Sequence, residues 1–180
     1  DHPACPARIA YLLTSDEETG STTSRTMIEG QARRSEAVLV LEPPLPGGAL
    51  KTARKGCGEF HLRVTGKPAH AGIEPERGVS AIRELARQIL AIESLADSAR
   101  GTTLSVGIVR GGTRGNVIPA EAEAIIDVRA ATLDDAGRVT RAMQALRPQI
   151  PGAAISVTGG IDRPPFERTA AVAALFRLAQ

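Results

Sequence analysis

The sequence predicts an α+β chain: a β-α-β-β-α-β module with ferredoxin-like order, four antiparallel strands with two helices on one face, preceded by a shorter β-α-β piece. Three observations carry this reading. Two near-continuous apolar runs precede residue 43, strict apolar–polar alternation begins at Gly56, and two stretches of helical period lie between the alternating segments.

The early runs, 8–14 (RIAYLLT) and 37–42 (AVLVLE), have the pattern of strands buried on both faces of a parallel sheet, with a short helix in 21–34 between them. Two such strands need further neighbours, so this piece is expected to belong to a larger domain. From Gly56 onward Phe60, Leu62 and Val64 fall on one face and His61, Arg63 and Thr65 on the other. Within 79–95, Ile82, Leu85, Ala86, Ile89 and Ile92 form one helical stripe that would pack on a sheet. Leu104, Val106 and Ile108 alternate in a second strand. After the Gly111-Gly112 turn and Pro119, Ala124, Ile126 and Val128 alternate in a third, and the short connection makes this pair antiparallel. Thr132 with Asp135 resembles a capping box in which aspartate replaces glutamate; it opens a helix over 133–147 carrying Ala136, Val139, Met143 and Leu146, stopped by Pro148. Ile155 and Val157 mark a fourth strand, and this order leaves the second and fourth strands at the sheet edges. Beyond Arg163-Pro164-Pro165, residues 169–180 begin another amphipathic helix.

With 180 residues and 42% hydrophobic content, the chain is long enough for one complete core of about 100–150 residues plus a fragment. A formal net charge of +2 creates no large single-sign field, so charge itself points to no partner; no nucleic acid and no membrane are expected. RNA-binding βαββαβ modules stack bases on sheet-face aromatics; Phe60, the sole aromatic in 56–160, falls on the helix side, which excludes that class. No apolar run approaches the roughly 20 residues of a membrane span. The start, Asp1-His2-Pro3-Ala4-Cys5-Pro6, lacks the basic and apolar regions of a signal peptide and reads like the middle of a longer chain. Cys5 and Cys57 match no metal or redox spacing and are expected to be reduced. A cytoplasmic location is expected, with the periplasm left open. Only three of the 22 basic residues are lysines, a bias that suits a GC-rich bacterial genome.

Chemistry concentrates in three places: Asp16-Glu17-Glu18 after the first apolar run, Glu42-Pro43 at the end of the next, and Gly66-Lys67-Pro68-Ala69-His70-Ala71-Gly72 after the first alternating strand. Ligands of open parallel sheets bind beyond the carboxyl ends of strands, which would bring both acidic sites to one cleft. The triplet alone fits equally well as helix N-terminal acids favoured by the macrodipole. For Glu42 the bland reading is weaker, because a carboxylate ending an apolar strand is poorly solvated unless it meets a cation. His2 and His61 read as surface or satisfied histidines, although His61 alternates onto the face away from the helices.

The stretches TSDEETGSTTSR, LVLEP, ARKGCGEFHLRVTGKPAHAG, PERGVSAI, GGTRGNVIPAEAEAIIDVR and RPPF resemble, in order and spacing, the zinc-dependent metallopeptidase and amidohydrolase family of glutamate carboxypeptidase, acetylornithine deacetylase and succinyl-diaminopimelate desuccinylase, closest to the glutamate carboxypeptidase branch. The resemblance implies a dinuclear zinc hydrolase that cleaves an amide bond of an N-acyl amino acid or a C-terminal glutamate. It implies that 1–50 are part of the catalytic domain, 51–162 the dimerisation lid, and 163–180 the start of the return to the catalytic domain. Glu17 would be the general base, Glu18 a ligand of one zinc and Glu42 of the other. Two metals about 3.5–4 Å apart polarise the scissile carbonyl and acidify water, while a carboxylate moves the proton. His70 would reach the partner subunit's site and stabilise the oxyanion. Asn116 would orient substrate, its other reading being a turn residue tolerant of the left-handed region. Arg129 would grip a substrate carboxylate with its fork, its other reading being a surface pair with Asp127. Arg54 and Lys55 stand where desuccinylase relatives carry two arginines, and the lysine departs from that pattern.

The same resemblance calls for an upstream His-x-Asp histidine, an aspartate bridging both metals and a downstream histidine, none of which has a counterpart here. The chain by itself is therefore expected to bind zinc weakly, to be inactive, and to supply the capping part of a homodimer acting on a small acyl amino acid or peptide. A function of a different class, a non-catalytic dimerisation or binding module, is also open, since antiparallel sheet edges pair across two-fold axes.

Overall fold

A computed structural model describes residues 8–179. The chain divides into two compact units, one ending at Pro44 and the other starting at Leu45.

In the first unit a single turn of 3-10 helix, Glu17–Thr19, precedes a short helix α1, Arg25–Ala32, inside the range expected from sequence. The two expected strands are absent: 8–14 and 37–42 join no sheet among the described residues, with Tyr11 82%, Leu13 91% and Leu41 87% exposed. The apolar pattern suits burial on both faces, and such burial needs neighbours that the described residues do not supply. The reading of the start of the chain, with His2 and Cys5, falls outside the described residues.

The second unit carries the expected module. Strand β1, Gly56–Thr65, helix α2, Ala81–Glu93, strands β2, Thr103–Gly111, and β3, Glu121–Ala130, helix α3, Leu133–Gln144, and strand β4, Ala154–Arg163, build one sheet in the order β2-β3-β1-β4, antiparallel throughout. A final helix α4, Ala170–Leu178, is capped by the Thr169 hydroxyl, which accepts from Val172 N. Alternation places Phe60, Leu62, Val64, Ala122, Ala124, Ile126 and Val128 on one face, where Leu85, Ile92, Val139 and Met143 of the two helices close a single core. Each fully buried Leu, Ile or Phe stabilises by about 1.5–3 kcal/mol relative to exposure.

Two helix ends show how local chemistry sets the boundaries. Ser80 accepts from Arg83 N and caps α2. At α3, Thr132 Oγ1 accepts from Asp135 N and donates to Asp135 Oδ2, so the aspartate is too short for a full capping box and grips the cap hydroxyl instead; Glu167 Oε1 takes the Leu133 N–H. Arg100 closes the same corner with ion pairs to Asp134 and Asp135.

The structure corrects two face assignments. Ile82 and Ala86 are exposed, while Glu84 and Gln88 occupy the core face of α2. Their burial is made possible by hydrogen bonds: Glu84 accepts from Gln149 N, Ile150 N and Gln88 Nε2, and Gln88 Nε2 also donates to Arg147 O. In β2 the register shifts between Val106 and Ile108, leaving Gly107 without a partner, so Ile108 lies opposite Ile125 on the outward face while Leu104 and Val106 face inward. One extra residue reverses the parity of everything after it. The module is closed at its base by a bridge in which Arg54 N donates to Phe166 O and Phe166 N to Arg54 O. Among the described residues no helix is long and apolar enough to cross a membrane.

Candidate functional site

The residues singled out by sequence fall into both units. In the first, the acidic triplet divides. Asp16 is a clamp: its carboxylate accepts from Thr23 N, Thr23 Oγ1, Ser24 N and Ser24 Oγ at 2.6–3.1 Å, tying the turn to the start of α1. The Ser24 and Thr23 hydroxyls hold its carboxyl well below the usual carboxylate range. Glu17 and Glu18 lie in the 3-10 turn with their side chains exposed, and Gly20 closes that turn in the left-handed region at φ +92°. Glu42 is exposed at the end of the 37–42 run.

Carboxylates suit zinc, but a tetrahedral ion needs four donors. Among the described residues no group of three His, Cys, Asp or Glu side chains converges, so Glu18 and Glu42 do not by themselves make a metal site.

In the second unit the fold brings His70 and Asn116 together from segments 46 residues apart. Beyond β1, Lys67 pairs with Val79 and His70 with Val117 as isolated antiparallel bridges. Ala71 N donates to Asn116 O and Ile118 N to Ala69 O, both at 2.9 Å, which stitches the two loops together. His70 Nδ1 accepts from Gly72 N at 3.2 Å. The imidazole and the Asn116 side chain are exposed. Pro68 of one loop and Val117 of the other line an open groove of about 540 Å³, whose wall carries Arg63 and Arg110 paired to Glu121 and Glu123.

Arg129 is on the outward face, as alternation requires, with its fork closed on Asp127 by two hydrogen bonds of 2.9 Å. That bidentate contact holds the guanidinium in its charged form. Half exposed, such a pair stabilises by about 0–1 kcal/mol, so a ligand carboxylate has little to displace. In register Arg129 lies opposite Cys57, eight residues from Thr65 at the other end of β1, on the order of 26 Å of strand. Within this chain the structure therefore groups His70 with Asn116 and sets Arg129 at the far end of the sheet. Cys57 is a free thiol, and His61 is exposed with Nε2 2.9 Å from Glu59.

Sequence reasoning missed the clamp at Asp16 and the groove arginines. Alternating charge along 59–63 and 121–129 was the available signal for the latter.

A family model described as the peptidase dimerisation domain (M20) matches residues 52–152. Carboxypeptidase G2 from Pseudomonas sp. (strain RS-16) is 34% identical over 161 residues, covering 88% of this chain and 39% of that protein. Acetylornithine deacetylase from Myxococcus xanthus is 29% identical over 157 residues, 80% of this chain and 40% of that protein. Among solved structures, a hydantoinase/carbamoylase family amidase from Burkholderia ambifaria superposes with a TM-score of 0.57 at 20% identity, covering 71% of this chain and 33% of that one. Aminopeptidase PepT from Bacillus cereus ATCC 10987 superposes at 0.55 with 23% identity, covering 71% and 36%. The structural likenesses show the shared fold, and the chain spans about two fifths of the length of the two curated relatives named.

Proposed function

This chain belongs to the M20 peptidase dimerisation-domain family, and on that premise we propose that it is the dimerising and substrate-capping part of a two-zinc hydrolase that cleaves the amide bond of an N-acyl amino acid or a C-terminal glutamate. The observation that supports this most directly is the stitched pair of loops, which holds His70 and Asn116 side by side beyond one end of the sheet. In the complete enzyme Glu18 and Glu42 each bind one zinc, and the paired ions supply Lewis acidity when bound. Glu17 takes a proton from the attacking water and returns it to the leaving amine, a role open to an exposed carboxylate free of the turn's internal hydrogen bonds. His70 donates to the developing oxyanion in the partner's site, Asn116 orients the substrate amide, and Arg129 exchanges Asp127 for a substrate carboxylate.

The homodimer forms through the β2 edge. Ile108 and Val109 there are exposed, and the outer face of α2 presents Ile82 at 44% and Leu90 at 71% exposure, an apolar strip beside an unpaired strand. Edge-to-edge pairing across a two-fold axis supplies main-chain hydrogen bonds and covers that strip.

Subunit mixing tests the reading. Two inactive variants of a complete enzyme carrying this chain, His70→Ala and Glu17→Ala, are combined under conditions of subunit exchange. Each mixed dimer regains one site with Glu17 and the partner's imidazole, so activity returns to about a quarter of wild type on statistical grounds. Loss of the single oxyanion donor alone costs about 2.7–4 kcal/mol. No recovery despite demonstrated exchange would show that His70 does not act across the dimer.

A further inference from the structure

The His70 ring is not held by its neighbours' side chains but by a backbone amide two residues on, with Gly72 N donating to Nδ1 at 3.2 Å. A ring nitrogen that accepts a hydrogen bond carries no proton, so the proton of the neutral ring is on Nε2. The backbone on either side is already fixed: Ala69 O and Ala71 N bond the Asn116 loop, and His70 O accepts from Ile73 N and Glu74 N. What remains free is the ring itself, and the Gly72 contact removes that freedom. His61, the other histidine among the described residues, points Nε2 at the Glu59 carboxylate, so its donor is engaged.

We propose that the Gly72 amide is a positioning group for His70, which holds the ring as an Nδ1 acceptor and so presents Nε2–H as its one donor to an anionic oxygen. The identity of that oxygen rests on the function proposed above; the hydrogen bond and the proton's location do not. The arrangement gives the His70 ring one donor of fixed direction.

The test uses this chain, isotopically labelled, by NMR at about pH 8, above the ordinary histidine range. A through-hydrogen-bond coupling between Gly72 N and His70 Nδ1 is expected. The Gly72 amide should exchange roughly tenfold more slowly than in His70→Ala, the effect of one hydrogen bond. His70→Asn, whose Oδ1 sits where Nδ1 was, should restore slow exchange, whereas His70→Gln, whose amide reaches the Nε2 position, should not. Absence of the coupling together with equal exchange in wild type and His70→Ala would overturn the proposal. Equal slowing in the Asn and Gln variants would also overturn it, by assigning the protection to bulk rather than to an acceptor at Nδ1. No arm measures hydrolysis, so a positive coupling beside a failed subunit-mixing experiment would leave the positioning intact and reject the function.

Discussion

Replacing Glu84 by leucine should be among the most damaging single changes in the sheet unit. Its carboxylate is fully buried and accepts from Ile150 N at 2.7 Å, Gln149 N at 3.0 and 3.1 Å, and Gln88 Nε2 at 2.6 Å. Leucine conserves volume and removes every acceptor. Gln149 is exposed and its amide turns to water, but Ile150 N and the Gln88 amide stay buried, and each orphaned donor costs about 1–3 kcal/mol. Allowing for the added apolar burial, the expected loss is about 3 kcal/mol. With a urea dependence of about 1–3 kcal/mol/M, the unfolding midpoint falls by roughly 1–3 M at unchanged slope. The assay is urea denaturation followed by circular dichroism. In the double variant with Gln88→Leu, part of the loss should return, because removing both partners is gentler than removing one. A loss below about 1 kcal/mol for the single variant, with the slope unchanged, would show that water or relaxation replaces the carboxylate and that the network does not hold the 147–150 loop to α2.

Three further outcomes are expected. The Asp135 carboxyl is held below its ordinary value of 3.8, first by the Thr132 hydroxyl and then by Arg100, so its contribution is present above that pH and fades as pH falls through the lowered value; Asp135→Asn should flatten the acid limb of a stability–pH profile, and an unchanged limb would sink this account. A combined Ile108→Lys and Leu90→Lys variant should sediment as a monomer with its melting temperature little altered, since both side chains are exposed; a persistent dimer would move the interface elsewhere. In a complete enzyme Glu17→Ala should lose turnover but keep its zinc by elemental analysis, whereas Glu18→Ala should lose metal as well, and equal metal loss in both would refute the division of roles.

The sheet unit was legible because one apolar face is written into its strands. Phe60, Leu62 and Val64 repeat with period two, and a one-residue error there would turn the whole set to solvent. Legibility failed where one position served two demands. Ile82 is apolar and on a helix, yet it is exposed, while Glu84 is acidic and fully buried; periodicity reports hydrophobicity and is blind to a carboxyl group satisfied by a distant loop. The bulge at Gly107 was equally hidden, since a lone glycine among alternating residues does not say on which side of it the parity changes. In the first unit the apolar character of 8–14 and 37–42 is plain in the sequence, but a strand exists only with its partner. Of the candidate residues, spacing alone suggested none of the His70–Asn116 proximity, because the bridge joining them is a contact between loops that carry no repeating pattern.

The doubly bonded pair of Arg54 and Phe166 gives the sheet unit a waist. Two residues exchanging both their hydrogen bonds sit about 5.5 Å apart at Cα, so the segment between them, more than a hundred residues, leaves and rejoins the main path of the chain at almost one point. A segment with that shape is portable. It could be excised there and its ends rejoined by a short linker, or spliced into a foreign scaffold at any surface turn of similar span, with its core undisturbed. Nearly everything that defines the unit lies on one side of that waist.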